Sequence, residues 1–313
     1  MMLDLALDLL ITALVIGVAL WTIRTRDDFA AIVGFVAYGL LLTLAWARLA
    51  AYDVALTEAA IGGGVTGVIL LRASVRLKPV TTARTPIGVR VLVGLLCAVI
   101  SAGLAAVVLL PVSPPPSLAA DVRSHLASTG LGNPIAGVLM AYRALDTFLE
   151  TVVVLLALFG AWSLTPDRAW GGRPGAPIPT ASFGPLPLFG RLLIPIGVVI
   201  GIYIVWVGAD APGGKFQGAT ILAAMWILAM MAGLTEAPPI GRWRLRLLLA
   251  AGPIVFVAVG VAGIPLAGSF LAYPEALAKP LILLIEVALT LSIAATLGLL
   301  VAGPPETAPG TEL

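Results

Sequence analysis

The chain has one cysteine, Cys97, and one histidine, His125, in 313 residues. A disulfide needs two cysteines, and a zinc, haem or iron–sulfur centre needs several Cys or His ligands. The sequence therefore predicts no cofactor or metal centre held by this chain alone. Cys97 lies in an apolar run and reads as a small packing residue. Charge is scarce as well. Only 11% of residues are charged and 60% are hydrophobic, whereas a soluble domain carries about 25% charge. That balance excludes a globular enzyme in water. The net charge of +2 gives no reason to expect a nucleic-acid partner.

What is abundant is apolar sequence in long runs. A spanning helix needs about 20 apolar residues, and the chain supplies nine candidates: 3–23, 29–49, 53–71, 91–111, 143–163, 191–209, 218–235, 246–267 and 278–301. The predicted fold is an all-α polytopic transmembrane helix bundle of about nine spans, embedded in a lipid bilayer. The first run follows Met1-Met2-Leu3-Asp4, which has no basic n-region, so it reads as a retained helix.

The basic residues test the count. With the N-terminus outside, the inside loops hold thirteen of the 18 Lys and Arg: Arg24, Arg26, Arg72, Arg76, Lys78, Arg84, Arg90, Arg168, Arg173, Arg191, Arg242, Arg244 and Arg246. The outside segments hold five: Arg48, Arg123, Arg143, Lys215 and Lys279. The bias persists loop after loop and places the C-terminus inside. Between spans, the proline-rich 111–118 reads as a stiff extended linker. Residues 165–190, rich in Pro and Gly, read as a domain boundary, and 303–313 as a disordered tail.

Three spans carry carboxylates where a bilayer makes them costly, about 2.5–3.5 kcal/mol near the centre. Asp53 and Glu58 of span three are five residues apart, ~140° around a helix, and face different neighbours. Asp53 is near the edge, where it meets headgroups or caps the helix. Glu58 is deeper, followed by Gly62-Gly63-Gly64, which permit close helix approach or a local helix break. It reads either as a cation or proton site or as a pairing residue on a packing surface.

Span five places Tyr142, Asp146 and Glu150 at i, i+4 and i+8 on one face. Arg143 can neutralise Asp146, which leaves Glu150 as a proton-relay candidate. The alternative is a structural Arg–Asp bridge with an incidental glutamate. Glu286 of span nine stands among Leu284, Ile285, Val287 and Ala288 and reads equally as a partner contact or a relay member. Glu58, Glu150 and Glu286 each fall ~8–12 Å below the outer end of their span, at 1.5 Å per residue, and could form a belt at one depth.

These residues also carry a resemblance. Asp53-Val54-Ala55-Leu56-Thr57-Glu58-Ala59-Ala60-Ile61-Gly62 resembles a segment of the D subunit of membrane-bound hydrogenases and of the C-terminal part of the A subunit of Mrp-type Na⁺/H⁺ antiporters. Asn133-Pro134 and Tyr142-Arg143-Ala144-Leu145-Asp146-Thr147-Phe148-Leu149-Glu150-Thr151 are similar to the E-subunit module that follows it. Pro212-Gly213-Gly214-Lys215-Phe216-Gln217-Gly218 is similar to the PGGGF-x-GG signature of Mrp B subunits, with Lys215 where a glycine is expected. That glycine-rich stretch reads as a tight turn between spans or as a source of free amides at an outer interface.

The resemblance implies a D-like module over 1–80, an E-like module over 81–164, the linker, and a B-like module over 191–302. It implies a bacterial or archaeal cell membrane and a multisubunit complex that exchanges Na⁺ for H⁺. The antiporter-like large subunits and the other small membrane subunits would be partners. The chain has three lysines, all placed in loops or at helix ends, so it resembles the accessory ion-path module of such a complex. The same modules fit a membrane coupling subunit of a redox-driven pump such as a membrane-bound hydrogenase, and the carboxylates also fit a structural scaffold.

Overall fold

The computed structural model describes residues 2–76, 86–110, 116–175 and 184–307. Within them nine apolar helices follow in chain order: α1 (Met2–Arg24), α2 (Asp28–Arg48), α3 (Tyr52–Val75), α4 (Ile87–Leu109), α5 (Ala144–Trp162), α6 (Pro185–Val207), α7 (Lys215–Met231), α8 (Trp243–Ala267) and α9 (Ala278–Ala302). Eight of these stretches are long and apolar enough to cross a membrane, and α7 is a shorter apolar helix of 17 residues. The protein is a multi-pass membrane protein.

Local chemistry sets the helix ends. Asp27 caps α2 by accepting from the Ala30 amide at 2.7 Å, and Asn133 caps a short helix, Pro134–Gly137, with proline at its first turn. Two spans are not regular. In α3 the stretch Glu58–Val65 is wound as a π-helix, a form that often marks functional sites. Ahead of α5, the Pro134 helix passes into a π-turn at Val138–Tyr142, and the chain breaks at Arg143 (φ −130°, ψ 38°) before α5 begins.

The core is organised around α9, whose buried residues run along its whole length, from Ala278 and Ile282 to Val301 and Ala302. Ile285, Leu289 and Ile293 pack with Phe256 of α8, Ala219 and Ala223 of α7, and Met140 and Ala144 ahead of and within α5. In contrast, α1 and α4 have no buried residue. Their leucines, isoleucines and valines face outward, as spans in lipid or against other subunits do.

Ion pairs and backbone contacts tie the loops together at both ends of the bundle. At one end Arg48 pairs with Asp8 at 2.9 Å, and Lys279 pairs with Asp210 at 2.8 Å. At the other, Arg173 pairs with Glu236, and the Gly172 carbonyl accepts from the Ile240 amide at 2.9 Å.

Three expectations change. The segment read as a linker contains a short 3-10 helix (Asp167–Ala169) and a strand, β1 (Arg173–Pro174), and α6 starts at Pro185, within the expected linker. The tail read as disordered contributes β2 (Pro305–Thr307), antiparallel to β1. Backbone pairing with a strand donated from the linker holds residues 305–307 in place. The expected stiff linker at 111–118 falls mostly on residues outside those described, as do 77–85, 176–183 and 308–313.

Candidate functional site

The site begins at the N-terminal end of α3. Asp53 Oδ1 accepts from Asn133 Nδ2 at 3.2 Å and from the Gly213 amide at 3.1 Å, and its backbone carbonyl accepts from Gln217 Nε2 at 3.3 Å. Asn133 Nδ2 also donates to the carbonyls of Gly208 and Ala211, each at 3.1 Å. Gln217 reaches Thr57 Oγ1 at 3.0 Å. One carboxylate thus ties together α3, the segment before α5, and the loop between α6 and α7. Asp53 was expected to meet headgroups or cap its helix. Instead it is turned inward to satisfy amides that no helix supplies with acceptors.

The Pro212–Gly218 loop is built for this tie. Gly213 (φ +155°) and Gly214 (φ +127°) hold backbone conformations that glycine tolerates best. Their amides are satisfied within the chain, Gly213 by Asp53 and Gly214 by the Ile204 carbonyl at 3.0 Å. The loop is a tight turn and does not present these amides at an interface. Gly218, in the first turns of α7, lies against Val205 and the Gly201 carbonyl of α6, where a Cβ has no room. Pro212 is exposed at the tip, and Phe216 is half-buried beside Lys215.

Beneath the tie lies a cleft of about 490 Å³ between α3, α5, α7 and α9. Its polar lining is Asp53, Thr57, Glu150, Lys215, Gln217 and Glu286. Lys215 and Glu286 are each 3% exposed. Glu286 Oε2 is without a hydrogen-bond partner among the described residues, and Gly214 is packed so that a Cβ there would lie 3.8 Å from Glu286 Oε1. Glu150 is exposed at the rim. A second, smaller cleft of about 260 Å³ opens at the N-terminal end of α3 and shares Asp53, Val54 and Ile135 with the first. Asp53 stands between the two.

The other expected residues sit elsewhere. Glu58 is half-buried and folds over Gly62 of its own π-helical stretch. Asp53, Thr57 and Ile61 form the face of α3 that lines the cleft, and Glu58 falls beside that face because it is one residue round from Thr57. Arg143 Nη2 pairs with Asp146 Oδ2 at 2.6 Å, both side chains well exposed. Tyr142 does not stack one turn above Asp146, because the helix is broken at Arg143. Lys215, expected outside at a helix end, does start α7 but is buried. Asn133, Thr57 and Gln217 had no assigned role from sequence. Each is a single polar side chain at the border of an apolar span.

Outside the spans, the Asp210 carboxyl is held below its usual range by its hydrogen bonds from Lys279, helped by the Gly132 amide. Burial pushes the Tyr273 phenol up to about 12, while its hydroxyl donates to the Met140 carbonyl at 2.9 Å.

The helices and cleft define a polytopic membrane protein with a charged, partly buried cavity where three helix groups meet. Two family models match it in tandem. Residues 13–79 match the D subunit of MBH, and residues 185–304 match the domain related to the MnhB subunit of Na⁺/H⁺ antiporter. The chain thus joins an MBH D-type segment and a MnhB-related domain in one polypeptide, the combination expected of a fused Mrp-type subunit.

Its fold resembles a chain of the Mrp complex from Dietzia sp. DQ12-45-1b, with TM-score 0.74 and 24% identity over 96% of this chain and 35% of that one. It also resembles a chain of the membrane-bound sulfane sulfur reductase, an archaeal respiratory membrane complex, with TM-score 0.52 and 21% identity over 68% of this chain and 98% of that one. An uncharacterized protein of Methanocaldococcus jannaschii is 30% identical over 157 residues, covering 44% of this chain and 59% of the relative. The chain therefore spans 59% of that relative's length and 35% of the Mrp chain.

Proposed function

We propose that this protein is a subunit of a multisubunit cation/proton antiporter of the Mrp type, and that the cleft at Lys215 and Glu286 forms part of its ion path. One observation carries the reading. An MBH D-type segment and a MnhB-related domain, joined in one chain, line with the intervening α5 a cleft whose buried carboxylate has an unpartnered oxygen. A buried charge with an unpartnered oxygen is destabilising, and in membrane proteins it marks ion and proton pathways.

In this reading a proton enters from the rim at Glu150 and passes to Glu286, whose charge is balanced by the Lys215 ammonium. Asp53 holds the loop that carries Lys215 in place. The exposed rim and the outward-facing α1 and α4 are where antiporter-like large subunits and small membrane subunits dock, in the cell membrane with the N-terminus outside. Na⁺ and H⁺ are the exchanged ions.

A second reading, as the membrane coupling subunit of a redox-driven pump, is favoured by the match of residues 13–79 to the D subunit of MBH. Purification of the tagged protein from its native membrane in mild detergent separates the two. Co-purification of antiporter-like membrane subunits alone supports the antiporter. Subunits with iron–sulfur or nickel centres would replace it with the redox pump.

A further inference from the structure

The cleft contains its own positive charge. Lys215 begins α7, is 3% exposed and lines the cavity together with Glu150 and Glu286. Its Nζ lies 4.9 Å from the centroid of the Phe216 ring, a cation–π contact that steadies the ammonium. It makes no ion pair among the described residues. An ammonium has three donors and no acceptor, so attraction to the two glutamates of the cleft sets its place.

Glu286 is the complement. It is 3% exposed, lines the same cavity and has one carboxylate oxygen unpartnered among the described residues. Asp53 Oδ1, by contrast, is already committed to Asn133 and Gly213. An anionic oxygen facing a cleft lined with other oxygens from Thr57, Gln217 and Glu150 is the donor type that hard metal cations select. The ammonium supplies the same charge from within the protein, on a side chain anchored at the first residue of α7.

We propose that Lys215 is a tethered cation that fills the monovalent-cation position of this cleft. The cleft then passes protons between Glu150 and Glu286 and excludes Na⁺ and K⁺, so the metal cation crosses the complex by another route. The proposal rests on the cleft being an ion path, but its test reads occupancy and not transport.

The test is the melting temperature of the purified complex in NaCl and in choline chloride at equal ionic strength, for wild type, Lys215→Gln and the double variant Lys215→Gln/Glu286→Gln. Binding of a cation to the folded state raises the melting temperature. Lys215→Gln is expected to gain about 2–4 °C in NaCl beyond the wild-type difference, and the double variant to lose that gain. Equal salt differences in wild type and Lys215→Gln would overturn the proposal, as would a gain that persists in the double variant. So would a Lys215→Gln complex that assembles in neither salt while the double variant assembles, since a free cation then cannot replace the ammonium. A transport defect, or its absence, in Glu286→Gln bears on the ion path itself and leaves these outcomes separate.

Discussion

The Asp53 tie offers the sharpest structural prediction. Two donors, Asn133 Nδ2 and the Gly213 amide, converge on Oδ1 at 3.2 and 3.1 Å. Hydrogen bonds to a charged group contribute about 1.5–3 kcal/mol each, and donors left buried without an acceptor cost a similar amount. Asp53 is half-buried, so solvent screens part of this, and Asp53→Ala is expected to cost about 2–4 kcal/mol. Asp53→Asn keeps one acceptor oxygen and loses the charge, so it should cost about 1 kcal/mol. At about 2–4 °C per kcal/mol, the alanine variant should melt about 4–16 °C lower and the asparagine variant about 2–4 °C lower. Thermal unfolding in detergent, followed by size-exclusion chromatography with fluorescence detection, measures both. An alanine variant that melts with the wild type would refute the tie as a structural element. So would an asparagine variant that melts below the alanine one.

Two further consequences concern the loop and the bundle. Gly218→Val should separate α6 from α7, because a Cβ at Gly218 meets Val205 and the Gly201 carbonyl. A cost of about 1–3 kcal/mol from overpacking should appear as a lowered melting temperature, and a variant as stable as the wild type would show that the two helices do not touch there. In the loop between α6 and α7, the Asp210 carboxyl is lowered by Lys279. The pair's stabilisation is therefore present above the carboxylate's unfolded-state value and is lost as pH falls through the lower folded-state value. It is surface-exposed and contributes at most about 1 kcal/mol. Lys279→Met should flatten the acid limb of a stability–pH profile while leaving the alkaline limb alone. An unchanged acid limb would remove the pair from the account.

Much of this architecture was legible in the amino acids. The nine apolar runs became nine helices in the same order, because a segment in lipid must satisfy its own backbone, and helix formation is the way a single segment does so. Arg143 and Asp146 were paired from their spacing alone, and they form an ion pair at 2.6 Å.

Other features depended on contacts between distant segments. Asp53 was read as a helix-edge residue because its partners, Asn133 and Gly213, lie 80 and 160 residues away. The strand at Pro305–Thr307 came from pairing with Arg173–Pro174, two segments with no apolar pattern to announce them. The break at Arg143, which parts Tyr142 from Asp146, is invisible to a count that assumes 3.6 residues per turn throughout. Lys215 looked solvent-facing because lysine at the start of a helix usually is. Its burial follows from the turn at Gly213 and Gly214, which folds the first residue of α7 inward over Phe216.

The central claim is that the cleft at Glu286 carries ions. Its most direct test is cation-dependent proton movement in inverted membrane vesicles containing the whole complex, with Glu286→Gln compared with wild type at matched subunit levels. Glutamine keeps the shape and removes the exchangeable charge, and loss of a proton-transfer group typically costs about 10²–10⁴-fold in rate. The account predicts a rate reduced at least about tenfold in a fully assembled complex. A Glu286→Gln complex that assembles normally and exchanges ions at the wild-type rate would contradict it.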